Sequence, residues 1–291
     1  MNPFISLFLV LALALGSQSA SALNLEKELK KALEQKKQPQ PDAAKTENQD
    51  QSAAAVLGAL KSDSVEEEIA IGRQIAGNLL GAAPLVKDKA LQKYVNSVGR
   101  WVALQSERPD LPWHFGVIES NDVNAFAAPG GYIFVTRGLY RLLSNESELA
   151  GVLAHEIGHV IRQHHLKILK QSRLVDLGGK LLAKQAGKDQ HIQNLIGNGA
   201  EVVARSLDKN AEFEADRMAV VLASRAGYAP YGLPEVLQQI GHFAKDDNQT
   251  ALLFKTHPHP DERLARLGDA MDERFDRIKG QTLATRFYRL R

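Results

Sequence analysis

LAHEIGHVIRQHH, Leu153 to His165, sets two histidines four residues apart with a glutamate directly after the first. On an α-helix that spacing leaves His155 and His159 about 40° apart around the axis and one turn along it, so both imidazoles can reach one ion. A catalytic zinc takes three protein ligands and keeps a fourth position open for water. Glu156 points to a neighbouring flank, where it can take a proton from the attacking water and pass it to a leaving amine. Leu149, Val152, Leu153, Ile157, Val160 and Ile161 make the helix apolar around the motif. Imidazoles and a carboxylate on a buried helix are costly without partners, and a metal supplies one. The competing reading is a solvated helix that spells the motif by chance.

The third ligand has to come from elsewhere. In Glu212-Phe213-Glu214-Ala215-Asp216, Glu212 and Asp216 stand at i and i+4 and share a helix face, while Phe213 and Met218 can turn to the core. Glu212 can ligate the metal. Asp216 can accept the other ring N–H of a zinc histidine, His155 in the first place, and fix its tautomer. Glu214 is the weaker candidate. From these residues alone a plain charged helix face accounts for the pattern almost as well.

Outward from the motif, Asn145 is placed to cap the helix, with Glu148 three residues on, and the pattern carries the helix through to His165. Helical spacing also marks VEEEIAIGRQIAGNLLG from Val65, KALQKYVNSVGRWVALQ from Lys89, AEFEADRMAVVLASRAG ended by Gly227, and LPEVLQQIGHFA. WHFGVIES alternates like a strand, and Tyr132 to Thr136 makes a second β-rich run after a Gly130-Gly131 turn. Strands are few, short and central. The layout is α+β and mainly helical. The stretch broken by Gly178-Gly179, Gly187 and Gly197 reads as two helices or a lid.

At 291 residues, with 44% hydrophobic and 24% charged residues, the chain can bury a sizeable core. A net charge of +2 gives no case for nucleic acid. Phe4 to Gly16 is an unbroken apolar run, too short for a comfortable membrane span, and Ala20-Ser21-Ala22 follows as a small-x-small cleavage pattern. Residues 1–22 are therefore expected to be a cleavable signal peptide. With no basic residue before the run, an uncleaved anchor is the alternative. Residues 23–64 are polar and proline-bearing and read as a flexible segment, and 65–291 as the folded domain. The absence of cysteine excludes a disulfide framework and a cysteine-borne lipid anchor.

HEIGH, then EFEAD, then THPHPDER, in that order, resemble the zinc metallopeptidase family that includes the HtpX heat-shock protease and the CAAX prenyl endopeptidases. The likeness runs from about Glu66 to Leu267 and is closest to the soluble periplasmic, BepA- and LoiP-like members. It implies a zincin-type fold with a small β-sheet beside the HExxH helix, and one Zn2+ per chain on His155, His159 and Glu212. Glu156 would be the general base and Asp216 would stand behind a ligand. Asn124, Ala125 and Phe126, with PGGYIFVTRGL, resemble the family's edge strand, whose free backbone groups can pair with a peptide. An ordinary core strand is the alternative there.

The same resemblance, through His257-Pro258 and Arg263, implies that His257 either approaches the zinc and holds the enzyme latent or stabilises the oxyanion. Arg263 would then anchor that segment or the transition state. A Pro-fixed turn with a surface histidine is the plain alternative. His164 and His165 read as charges that suit the helix dipole. The spanning helices of the membrane-embedded members have no counterpart, so membrane contact is expected to be peripheral at most. The implied function is a periplasmic zinc endopeptidase acting on unfolded or misassembled envelope proteins.

Overall fold

Residues 64–170, 207–243, 247–271, 273 and 275–290 are described in a computed structural model of the chain. The expected signal peptide, the polar segment up to Asp63 and the glycine-interrupted stretch from Gly178 to Gly197 lie outside them.

Helix α1 (Val65–Ala82) opens with a capping box. Ser64 Oγ accepts from Glu67 N at 3.2 Å, and the Glu67 carboxylate accepts from Ser64 N at 3.0 Å. Helix α2 (Lys89–Ala103) is capped by Asp88 and buries Leu91, Val95, Val98 and Val102, one stripe at helical spacing. Strands β1 (His114–Ile118), β2 (Ala125–Ala128) and β3 (Tyr132–Thr136) follow. The sheet order is β1-β3-β2, with β1 parallel and β2 antiparallel to β3. Alternation picks out β1, and the β-rich run Tyr132 to Thr136 picks out β3. The alanine-rich AFAA of β2 carries little β-propensity and takes its conformation from pairing with β3, with Phe126 opposite Phe134.

The β2–β3 turn needs glycine. Gly130 has φ +73, and a Cβ there would lie 2.6 Å from Ile69 Cα. Buried Glu68 holds this turn, accepting from Gly130 N at 3.0 Å and from the Arg108 fork at 3.0 and 2.9 Å.

After α3 (Arg137–Leu142) comes α4 (Glu146–Ile161), the motif helix, buried along its whole length. Asn145 caps it as expected, accepting from Glu148 N at 3.0 Å, while Glu148 reaches back one residue further to Ser144 N at 2.6 Å. The expected continuation to His165 is corrected. The helix stops at Ile161, Gln163 takes φ 54, and a new helical stretch starts at His164. Helices α5 (Lys209–Arg225), α6 (Gly232–Gly241), α7 (Ala251–Thr256) and α8 (Pro260–Met271) complete the main elements. Gly227, at φ +90, ends α5 as expected.

Helices α2, α5 and α6 and strand β2 all pack on α4. The crossing with α6 is close: a Cβ on Gly151 would lie 2.5 Å from Leu233 N, and one on Gly232 would lie 2.1 Å from Ser147 O. At the start of α4, fully buried Glu146 accepts from Tyr94 at 2.7 Å, Tyr228 at 2.8 Å and Arg286 at 2.6 and 2.9 Å. That carboxylate ties the C-terminal segment to the helix that carries the motif.

Candidate metal centre

On a helix buried along its whole length, His155, Glu156 and His159 are almost fully covered, so their partners must come from neighbouring elements. Helix α5 supplies them, lying so close that a Cβ on Gly158 would come within 3.2 Å of Ala215 Cα. Glu212, one turn before Ala215, then faces both imidazoles. Its oxygens lie 3.6 Å from His155 Nε2 and 3.6 Å from His159 Nε2, and the two Nε2 atoms are 3.0 Å apart. His257, at the end of α7, places Nδ1 2.7 Å from Glu212 Oε2.

The residues fit a metal ion. One donor atom from each of His155, His159, Glu212 and His257 can be chosen so that all lie within 4.8 Å of one another. Two ligands of one tetrahedral ion, with bonds of about 2.1 Å, stand roughly 3.4 Å apart, and the observed separations bracket that figure. Glu212 Oε1 is buried with no hydrogen-bond partner, an acceptor that a cation would satisfy.

Behind the donors, Asp216 Oδ1 lies 2.9 Å from His155 Nδ1. Arg263 forks onto the same carboxylate, Nε to Oδ2 at 2.9 Å and Nη2 to Oδ1 at 2.6 Å. Its Nη2 is 3.3 Å from His155 Nδ1. All three side chains are buried.

The electrostatics follow from this crowding. Burial lifts the Glu156 carboxyl above its ordinary range, and the charges of His155 and His257 only partly counter it. Burial also disfavours charge on His155, but its bonds to Asp216 and Glu212 outweigh that and raise it to about 9. His159 is held well below its usual range by burial. Burial pushes Glu212 up, yet His257 and His159 beside it hold the carboxyl well below the usual carboxylate range.

Each residue singled out in the sequence can now be located. His155, Glu156, His159, Glu212, Asp216, His257 and Arg263 come together in one buried cluster. Arg263 stands on the Asp216 side of His155. Asn124, Ala125 and Phe126 lie at and just before β2, the outer strand next to α4; Asn124 and Ala125 are buried and Phe126 is half-buried. Asn124 Oδ1 accepts from Ala125 N at 2.9 Å, while its Nδ2 is buried without a partner. The reading of His164 and His165 as dipole-suited charges is corrected. Both are buried, and burial lowers them, His165 to about 4. His164 instead faces His159, a contact that the expected unbroken helix would not allow.

An HExxH helix with a glutamate facing its two histidines from a neighbouring helix, beside a small sheet, defines the class: a metallopeptidase. Residues 89–271 match the model of Peptidase family M48. The chain belongs to that family. It is 32% identical over 210 residues to the beta-barrel assembly-enhancing protease of Yersinia pestis, covering 69% of this chain and 43% of that protein. It is 26% identical over 229 residues to metalloprotease YcaL of Escherichia coli, covering 78% of this chain and 82% of the relative. To the mitochondrial metalloendopeptidase OMA1 of Schizosaccharomyces pombe it is 26% identical over 180 residues, 62% of this chain and 53% of the relative. The chain thus spans less than half the length of the first of these relatives. Among the described residues no helix is long and apolar enough to cross a membrane.

Proposed function

We propose that the protein is a zinc-dependent endopeptidase of the cell envelope, exported to the periplasm, that cleaves unfolded or misassembled envelope proteins. The observation that carries this reading is the convergence of His155, His159 and Glu212 on one point with Glu156 alongside. Two histidines and one carboxylate are a donor set suited to catalytic zinc. The envelope role rests on the likeness to the beta-barrel assembly-enhancing proteases.

When bound, zinc supplies a Lewis acid that polarises the scissile carbonyl and acidifies water. The chain's own residues do the rest. An extended substrate lies along β2, the outer strand beside α4, at half-buried Phe126, while buried Asn124 and Ala125, the Ala125 N–H held by Asn124 Oδ1, fix the start of that strand. Glu156, its carboxyl lifted above its ordinary range by burial, accepts the proton of the attacking water and delivers it to the leaving amine. Asp216 holds His155 in the tautomer that leaves Nε2 free, and Arg263 holds Asp216. His257 shares the donor cluster, which favours its role as a latch on the open position over that of an oxyanion donor.

The test is cleavage of casein by the zinc-loaded protein beside its Glu156→Gln variant. Cleavage by the wild type alone is expected. Equal cleavage by both, or none by either the wild type or a His257→Ala protein that binds zinc, overturns the reading.

A further inference from the structure

We propose that His164 is a positioning residue for the metal centre: it accepts a hydrogen bond from His159 Nδ1, fixes that ring with its Nε2 lone pair toward the metal, and is itself oriented by Glu214. The inference rests on the metallopeptidase reading above and deepens it.

The two motif histidines are supported differently. His155 has a carboxylate behind it, Asp216, at 2.9 Å. His159 has another imidazole: its Nδ1 lies 2.9 Å from His164 Nδ1, and both rings are buried. Two ring nitrogens at that distance need one N–H and one lone pair between them. Ligation through His159 Nε2 leaves the N–H on its Nδ1, so His164 Nδ1 must be the acceptor. The proton of His164 then sits on Nε2, the atom that lies 3.4 Å from Glu214 Oε2. The opposite assignment would point the lone pair of His164 at a carboxylate and the Nε2 proton of His159 at the donor cluster. Only one tautomer assignment satisfies the whole chain from Glu214 through His164 to His159.

The backbone is built to make this contact. On an unbroken helix, residues five apart stand about 140° from each other and could not meet. The break after Ile161 returns His164 to His159, with Gln163 in the left-handed region at φ 54, an unfavourable conformation for a residue with a side chain. Gln163 Nε2 is tied to buried Glu68 at 3.0 Å, which holds the break in place. Glu214 is steadied by Arg162 Nε at 2.8 Å. The residue that looked like the weakest candidate in EFEAD thus has a place in the centre, one step removed from the metal.

The experiment reads zinc affinity and ring tautomers rather than turnover. Zinc is titrated against a competing chelator into the wild type, His164→Ala and His164→Asn, and the tautomers of 15N-labelled histidines are read by NMR in the zinc-loaded wild type. His164→Ala is expected to weaken zinc binding about 10- to 100-fold. His164→Asn, whose side-chain oxygen can take the place of Nδ1, is expected to recover most of it. The NMR spectrum is expected to place the proton on Nδ1 of His159 and on Nε2 of His164. A proton on His164 Nδ1 overturns the proposal without any variant having to fold. So do equal affinities for wild type and His164→Ala, or an Asn variant that folds but binds no better than Ala. If the wild type binds no zinc at all, the metallopeptidase reading falls with it.

Discussion

His257 Nδ1 lies 2.7 Å from Glu212 Oε2, on the same carboxylate that faces both motif histidines. The two residues are 45 positions apart in sequence, one on α5 and the other just after α7. On the proposed reading, a histidine in this place would compete with water for the position that catalysis needs open. If the latched form holds about 90% of the molecules, its removal raises turnover about tenfold, since rate follows the competent fraction. His257→Ala is therefore expected to cleave casein faster than the wild type and to release zinc more readily. A steady-state assay beside a zinc dissociation measurement checks both. A slower variant with unchanged zinc release would assign His257 to the oxyanion instead.

Metal removal should be visible in stability as well as in activity. The donor cluster exists only in the folded chain, so a bound ion stabilises by mass action, about 4 kcal/mol at a free metal concentration 1,000 times Kd. For a domain of this size that corresponds to a rise in Tm of roughly 10 °C. Calorimetry with zinc and with excess chelator is expected to show this difference. His155→Ala and Glu212→Gln are expected to abolish it, since each removes one of the converging donors.

Asp216 gives the metal-free protein a specific acid response. Burial pushes its carboxyl up, but the Arg263 fork outweighs burial and lowers it to about 2. A carboxyl lowered on folding contributes stability above its unfolded pKa, and loses it as pH falls through the folded value. The loss therefore runs from about pH 4 down to about pH 2 and amounts to about 2 kcal/mol. Urea unfolding in chelator across that range is expected to show it. The Asp216→Asn variant, weaker at neutral pH because Arg263 loses its ionic partner, should show a flatter profile in the same window.

Legibility in the sequence followed the reach of the interactions. His155, Glu156 and His159 are set by the local geometry of one helix, and the pattern identifies them directly. Glu212 and Asp216 share a face in the sequence, but only the close approach at Gly158 and Ala215 separates a ligand from an ordinary charged face. Strand β2 was legible only through family resemblance, because AFAA owes its conformation to β3. The role of His164 was hidden by the helix break, since a periodic apolar pattern runs on through residues where the backbone turns. Buried Glu68 and Glu146 gave no local sign. Their cationic partners, Arg108 and Arg286, lie 40 and 140 residues away.

The crossing of α4 and α6 depends on Gly151, and its replacement decides between two opposing effects. Alanine is favoured over glycine in a helix interior by about 1 kcal/mol. Against that, the new Cβ would lie 2.5 Å from Leu233 N and 3.0 Å from Leu233 Cα, too close for either backbone atom. Overpacking of this kind costs about 1–3 kcal/mol, and backbone cannot step aside as a side-chain tip can. The clash should win, because α6 is also locked at Gly232 against Ser147 O. Gly151→Ala is expected to lower the urea midpoint by the equivalent of up to about 2 kcal/mol. It should also weaken zinc binding, since α4 carries the proposed ligand His155 one turn further on. A variant at least as stable as the wild type would mean that α6 can shift without disturbing the motif helix.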